Sequence, residues 1–244
     1  EGKLLPTILN SEGYYELGNN ILAGHGFSES PVAPYPPDSL RPPLYPLFIA
    51  AFVGAFGSYW PVIIAQLLLG SLIPLLARRI GFRITQNTFV GNAVGVLFAI
   101  EPVLVRLSGI LLTETLFLTL FLLFIIALFN YIDSERLRDL AISALLLGLA
   151  TLTRPVTQYL PVVVIAFLFW HFRRALSWRI VGHIAIFIGV FVITLAPWLY
   201  RNAQVFGSPR VANTTVSNLY GYFAPSVLAL ERREVRRLLD PAFG

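Results

Sequence analysis

The sequence predicts an all-α integral membrane protein, a multi-pass helical bundle with extracytoplasmic juxtamembrane helices. Three observations predict it. Hydrophobic residues make up 56% of the 244 and charged residues only 13%, whereas soluble domains carry roughly 25% charged residues. Six apolar stretches are long enough, or nearly so, to cross a hydrocarbon core of roughly 30 Å, which takes about 20 helical residues. Arginine collects in alternate connections, as it does beside the cytoplasmic ends of spans.

The amino-terminal region, residues 1–58, is expected to be an extracytoplasmic loop. It mixes Gly, Pro, Asn, Tyr and acids, with a short helix near Tyr14–Leu22. The apolar run Leu44–Phe56 has 13 residues, follows Pro42-Pro43 and contains Pro46. That is too short to span, so it is expected to lie along the extracytoplasmic interface. Tyr59 and Trp60 suit the interface beside it.

Residues 59–201 are expected to form a six-helix transmembrane region. Its spans are Trp60–Ala77, Thr88–Val105, Leu111–Tyr131, Leu140–Thr153 (extending back towards Leu137), Val156–Phe172 and Ile180–Tyr200. Arg78, Arg79 and Arg83 follow the first, Arg136 and Arg138 the third, and Arg173, Arg174 and Arg179 the fifth. Eight of the 18 basic residues thus flank one side, which is assigned as cytoplasmic. The net charge of +5 is therefore read as topogenic rather than as a mark of a nucleic-acid partner. An even number of spans with an outside start implies either a translocated amino end or, as favoured here, a further spanning helix before Glu1. Residues 202–244 are expected to begin a larger extracytoplasmic part.

There is no Cys, which excludes disulfides and thiolate chemistry. No His pair has metal-ligand spacing, and no phosphate-binding glycine loop or nucleophile elbow is present. No metal and no cofactor are expected. Asn213-Thr-Thr matches a glycosylation sequon on the expected outer side.

The chemically interesting residues gather on that outer side. Glu12 and Glu16, with Asn10 nearby, would share a face if helical, and a carboxylate there suits a general base. Arg41 precedes Pro42-Pro43, which fixes the backbone and holds a guanidinium at headgroup depth. Glu114 opens the third span within apolar sequence, where an ionisable group is costly and marks a functional candidate. Glu101 has a similar position, with Arg106 five residues on. Arg154 and Arg201 close spans on the side that ought to be poor in arginine, and with Arg41 could face a polyanion. His25 sits in a Gly-His-Gly turn. His171 and His183 lie near cytoplasmic span ends and read as structural.

The order of several short motifs is more specific than any one. Asn10-Ser-Glu-Gly-Tyr14-Tyr-Glu-Leu-Gly-Asn-Asn-Ile-Leu-Ala-Gly-His25-Gly-Phe-Ser is followed by Arg41-Pro-Pro-Leu-Tyr45-Pro and Ala77-Arg-Arg. Then come Ser108-Gly-Ile-Leu-Leu-Thr-Glu114-Thr, Gly148-Leu-Ala-Thr-Leu-Thr-Arg154-Pro and Pro197-Trp-Leu-Tyr-Arg201-Asn. From about Asn10 to Asn202 this series resembles the multi-pass glycosyltransferases of the C-type fold. Protein O-mannosyltransferases and lipid A aminoarabinose transferases belong to that group.

The resemblance implies transfer of a sugar from a polyprenyl-phosphate donor to an extracytoplasmic acceptor, with inversion, in a prokaryotic inner membrane. The partners it implies are the lipid-linked sugar, membrane lipid and an acceptor (protein, lipid or glycan). It implies an acidic catalytic base in the first outer loop, Arg41 against the lipid phosphate, and Glu114 near the same cavity. Arg154 and Arg201 are candidates for the same phosphate, and Tyr14, His25 and Tyr45 for contact with substrate. The family's Asp, four residues before a Tyr, is Asn10 here if the Tyr is Tyr14. It is Ser11, followed by Glu12, if the Tyr is Tyr15. Glu12 is the nearest carboxylate in either register. Two other readings remain: a catalytically silent binder of lipid-linked sugars on the same scaffold, and a transporter or flippase, for which the spans hold few ionisable groups.

Overall fold

A computed structural model of the chain describes residues 12–174 and 177–213. Asn10 and most of the carboxy-terminal segment, the sequon's threonines included, lie outside the described residues. Nine α-helices and no strand occur among the described residues. They are α1 (Tyr14–Leu22), α2 (Leu44–Phe56), α3 (Trp60–Thr85), α4 (Thr88–Ile100), α5 (Pro102–Ser108), α6 (Glu114–Ser134), α7 (Leu137–Thr153), α8 (Leu160–His171) and α9 (Trp178–Phe206). The described residues fall into two compact units. One holds 12–38 and 42–211; the other joins Ser39–Arg41 to Ala212 and Asn213, with the Asn213 amide donating to the Ser39 carbonyl at 2.9 Å.

Among the described residues, three helices are long and apolar enough to cross a membrane: α3, α6 and α9. Their 26, 21 and 29 residues give lengths of about 39, 31 and 43 Å at 1.5 Å per residue. The expected span Thr88–Val105 is broken. Glu101 adopts an extended ψ of 109° because the ring of Pro102 disfavours helix in the residue before it. Glu101 then becomes the N-cap of α5, with its carboxylate accepting from the Val103 amide at 3.2 Å. The two pieces meet at 57°, and together they would make a fourth, bent span.

Other boundaries also move. α3 runs on to Thr85, so Arg78, Arg79 and Arg83 occupy its last turns instead of a loop. The third span starts at Glu114, three residues later than Leu111. The fourth does reach back to Leu137, with 17 residues. The fifth is a 3-10 turn, Pro155–Thr157, followed by the 12 residues of α8. The last helix passes Tyr200 and ends at Phe206. α1 and α2 occupy the expected ranges.

Two apolar cores organise the first unit. One gathers Phe124, Leu128, Tyr131, Leu140, Leu147, Leu168, Phe187 and Leu195 from α6–α9. The other gathers Tyr14, Leu17, Tyr45, Ile49, Val62 and Leu111 around α1, α2 and the start of α3. α3 and α4 pack as a hairpin whose close approach needs Gly91. A Cβ there would stand 2.9 Å from that of Phe82.

The bundle has two distinct ends. At one, Arg83 donates to Asn130 Oδ1 and the Phe129 carbonyl, both at 2.6 Å, and pairs with Asp133. The Tyr131 hydroxyl meets His183 Nδ1 at 3.2 Å near the same end. This joins the carboxy-terminal turns of α3 and α6 to the start of α9, so the arginine-rich connections share one end. At the other end lie α1, α2, the loop before α6 and the end of α7.

Candidate functional site

Tyr45 anchors the end of the bundle at which α1 and α2 lie. The α2 helix follows Pro43 directly, so the ring of Tyr45 is placed by the first helical turn and is fully buried. Its hydroxyl donates to Gln66 Oε1 at 2.7 Å, and Gln66 Nε2 donates to the Ile110 carbonyl at 2.8 Å. Gln66 is also fully buried, and this pairing satisfies an amide that would otherwise be costly in apolar surroundings. The ring of Tyr14 stands edge-on to Tyr45 with centroids 5.2 Å apart. Burial first, then Tyr14 and the Glu114 carboxylate nearby, push the Tyr45 hydroxyl well above its ordinary value.

Glu114 and Arg154 meet at the rim of this core. Arg154 Nη1 donates to Glu114 Oε1 at 2.5 Å and to Thr113 Oγ1 at 3.1 Å. Arg154 terminates α7 in an extended conformation because Pro155 follows it. That extension turns its side chain out of the α7 register. Both partners remain about a third exposed or more, at 33% and 40%, so screening by water keeps the pair modest in strength.

Arg201 is held differently. Its Nη1 donates to the Asp38 carbonyl at 3.1 Å and to Asn202 Oδ1 at 2.8 Å. Its guanidinium carbon lies 5.3, 4.8 and 5.2 Å from the ring centroids of Phe27, Trp198 and Phe206. Aromatic faces and neutral oxygens steady the guanidinium, and the Asp38 carboxylate acts on it electrostatically. Arg201 also borders an open cleft of about 550 Å³. Leu47, Leu152, Pro197, Trp198 and Phe27 make its walls predominantly apolar, and Gly24 and Gly26 contribute to it. An apolar slot bordered by a cation suits an amphiphile with an anionic head.

The remaining candidates have surroundings of their own. Glu12 is exposed in the turn before α1, with a left-handed φ of 51°. It therefore shares no helical face with Glu16, which lies inside α1. Arg41 belongs to the second unit. Glu101 caps α5, as described above. His25 is exposed and stacks on Tyr35. Among the described residues, no group of three or more His, Asp or Glu side chains is placed to hold a metal ion. The structure thus brings Glu114, Arg154, Tyr14 and Tyr45 to one small region and sets Arg201 at a cleft. Phe27, Trp198 and Gln66 belong to these sites without having been named as site residues from sequence. Gln66, a polar residue in an apolar span, was the one with a visible signal.

A family model described as dolichyl-phosphate-mannose-protein mannosyltransferase matches residues 40–200. The chain belongs to that family. The match spans α2 through most of α9 and includes Tyr45, Glu114 and Arg154. Comparison with curated proteins and with solved structures gave no match. Family membership makes this a membrane protein of glycosyltransferase type, mannosyltransferase-like, and the family implies a lipid-linked sugar donor of the dolichyl-phosphate-mannose kind.

Proposed function

We propose that the protein transfers a sugar, with inversion, from a polyprenyl-phosphate donor to an extracytoplasmic acceptor. One observation carries the reading beyond the family: the apolar cleft that Arg201 helps to line. The polyprenyl chain lies along Leu47, Leu152 and Pro197, and the phosphate meets the guanidinium.

The reaction needs little else. An acceptor hydroxyl attacks the anomeric carbon on the face opposite the phosphate. The bond from that carbon to the phosphate oxygen breaks, and polyprenyl phosphate leaves with the electron pair. Cationic side chains stabilise the charge growing on the leaving group. A carboxylate takes the acceptor proton. Glu12 is proposed for that role, because Glu114 is already committed to Arg154 at 2.5 Å. The Glu114–Arg154 pair and Tyr45 then serve to fix the walls around the reacting sugar, with Tyr14 packed behind them.

The test is sugar transfer from a mannosylated polyprenyl phosphate by protein in liposomes. Leu47→Trp fills the cleft from a position that is 48% exposed, so folding is spared. Transfer falling by tenfold or more supports the reading; unchanged transfer overturns it. One observation favours a second reading, a silent binder of lipid-linked sugar. Asn10 stands where the family's Asp is expected, and the partnered Glu114 is poorly placed to replace it. Asn10→Asp separates the two: transfer gained from an inactive parent supports the silent binder, and an active parent excludes it.

A further inference from the structure

The turn between α1 and the cleft is built with more care than a passive loop requires. Gly24 and Gly26 both sit at left-handed φ, +76° and +82°, and an added Cβ at either would meet no atom within 4 Å among the described residues. Glycine is needed there for backbone conformation, not for space. These two residues line the cleft that Arg201 borders, and His25 lies between them. The His25 ring stacks on Tyr35 with centroids 3.9 Å apart and planes 14° from parallel. The His25 amide donates to the Asn20 carbonyl at 2.9 Å.

Asn20 also fixes which ring nitrogen carries the proton. Asn20 is buried, and its Nδ2 donates to the carbonyls of Ser28 at 2.7 Å and Ser30 at 2.8 Å. With the amide nitrogen engaged twice, the amide oxygen is what faces His25 Nδ1, at 3.4 Å. An amide oxygen only accepts. Nδ1 of the neutral ring is therefore the protonated nitrogen, and Nε2 presents a lone pair.

We propose that His25 is a sugar-recognition residue, whose Nε2 accepts a hydrogen bond from a hydroxyl of the donor's pyranosyl group at the mouth of the cleft. The inference rests on the donor reading given above and assigns the sugar end of that ligand. Apolar walls take the polyprenyl chain, Arg201 takes the phosphate, and the rim histidine takes the polyhydroxylated group next to the phosphate. Tyr35 holds the ring plane, and Asn20 holds its tautomer; both are positioning residues.

The experiment compares two probes on the full chain in nanodiscs, polyprenyl phosphate and the same lipid carrying mannose. His25→Ala is expected to weaken the mannosylated lipid about tenfold, the worth of one well-placed hydrogen bond, and to leave polyprenyl phosphate unchanged. His25→Gln, which can return an acceptor near Nε2, is expected to recover most of that loss. Tyr35→Ala is expected to give a smaller, equally sugar-selective loss. Equal weakening of both lipids, or no change in either, overturns the assignment while the donor reading stands. A parent protein that binds neither lipid overturns the donor reading, and this inference with it.

Discussion

Arg154 and Arg201 look alike in sequence: each closes an apolar helix on the side that ought to be poor in arginine. The fold gives them opposite surroundings. Arg154 has a carboxylate at 2.5 Å and a threonine hydroxyl at 3.1 Å. Arg201 hydrogen-bonds two neutral oxygens and faces three aromatic rings, with the Asp38 carboxylate close enough to act on it electrostatically. A cation hydrogen-bonded to a carboxylate has less attraction left for an incoming anion than one whose hydrogen bonds all go to neutral oxygens. The difference also sets what lies beside each. The Arg154 region is a polar lock joining α6 to α7, and the Arg201 region is a cation lining an apolar cleft. Position alone therefore does not assign a phosphate site; the partners do.

The largest expected effect falls on Arg201. Arg201→Gln is expected to reduce binding of polyprenyl phosphate about 100-fold, from the loss of charge-assisted hydrogen bonds, as read by titration in nanodiscs. Arg154→Gln is expected to change it less than about threefold. Equal losses for the two would erase the contrast.

Next comes the buried link behind the lock. Tyr45→Phe leaves Gln66 Oε1 without the donor it has now, at a cost of about 1–3 kcal/mol for a buried unsatisfied group, read as a lower melting temperature. Its pH dependence has a definite sign. The folded value of Tyr45 is raised above the ordinary one, so this contribution is complete below about pH 10 and fades as pH rises through the folded value. Above about pH 10 the parent should lose melting temperature faster than Tyr45→Phe.

The lock itself is worth less. A double-mutant cycle on Glu114→Gln and Arg154→Gln should give a coupling of about 1 kcal/mol or below, since both groups are partly exposed. High salt should shrink it further. For transfer, the smallest effect is expected at the turn of Gly24 and Gly26. Gly24→Ala or Gly26→Ala forces a side chain into left-handed φ and should cost about 1–2 kcal/mol. In transfer assays we expect a raised KM with little change in kcat.

Much of the fold was legible because its signals are local. Pro42-Pro43 and Gly57 bracket α2, and the apolar lengths of α3, α6 and α9 mark them as spans. The break at Glu101-Pro102 was also written locally, as a residue before proline that carries a capping carboxylate, but hydropathy averaged over the segment conceals it. The extension of α3 through three arginines is hidden for a related reason. Charged residues end an apolar stretch without ending the helix, whose hydrogen bonds continue to Thr85. The site was legible only as an inventory. Glu114 and Arg154 are 40 residues apart, and Arg201 reaches Asp38 across 163. Such pairings come from packing, and no periodicity encodes them. Composition could name the cations and acids; only the fold could say which cation hydrogen-bonds a carboxylate.

The most direct test uses Trp198, which lines the cleft beside Arg201. With Trp60, Trp170 and Trp178 replaced by Phe, it is the sole fluorophore of its kind among the chain's four tryptophans. Titration of this protein in nanodiscs with a brominated polyprenyl phosphate should quench Trp198 saturably. Arg201→Gln should abolish the quenching at the same lipid concentrations, and Arg154→Gln should preserve it. Quenching that is absent from the parent, or equally strong in Arg201→Gln, would contradict the assignment of this cleft to the lipid-phosphate donor.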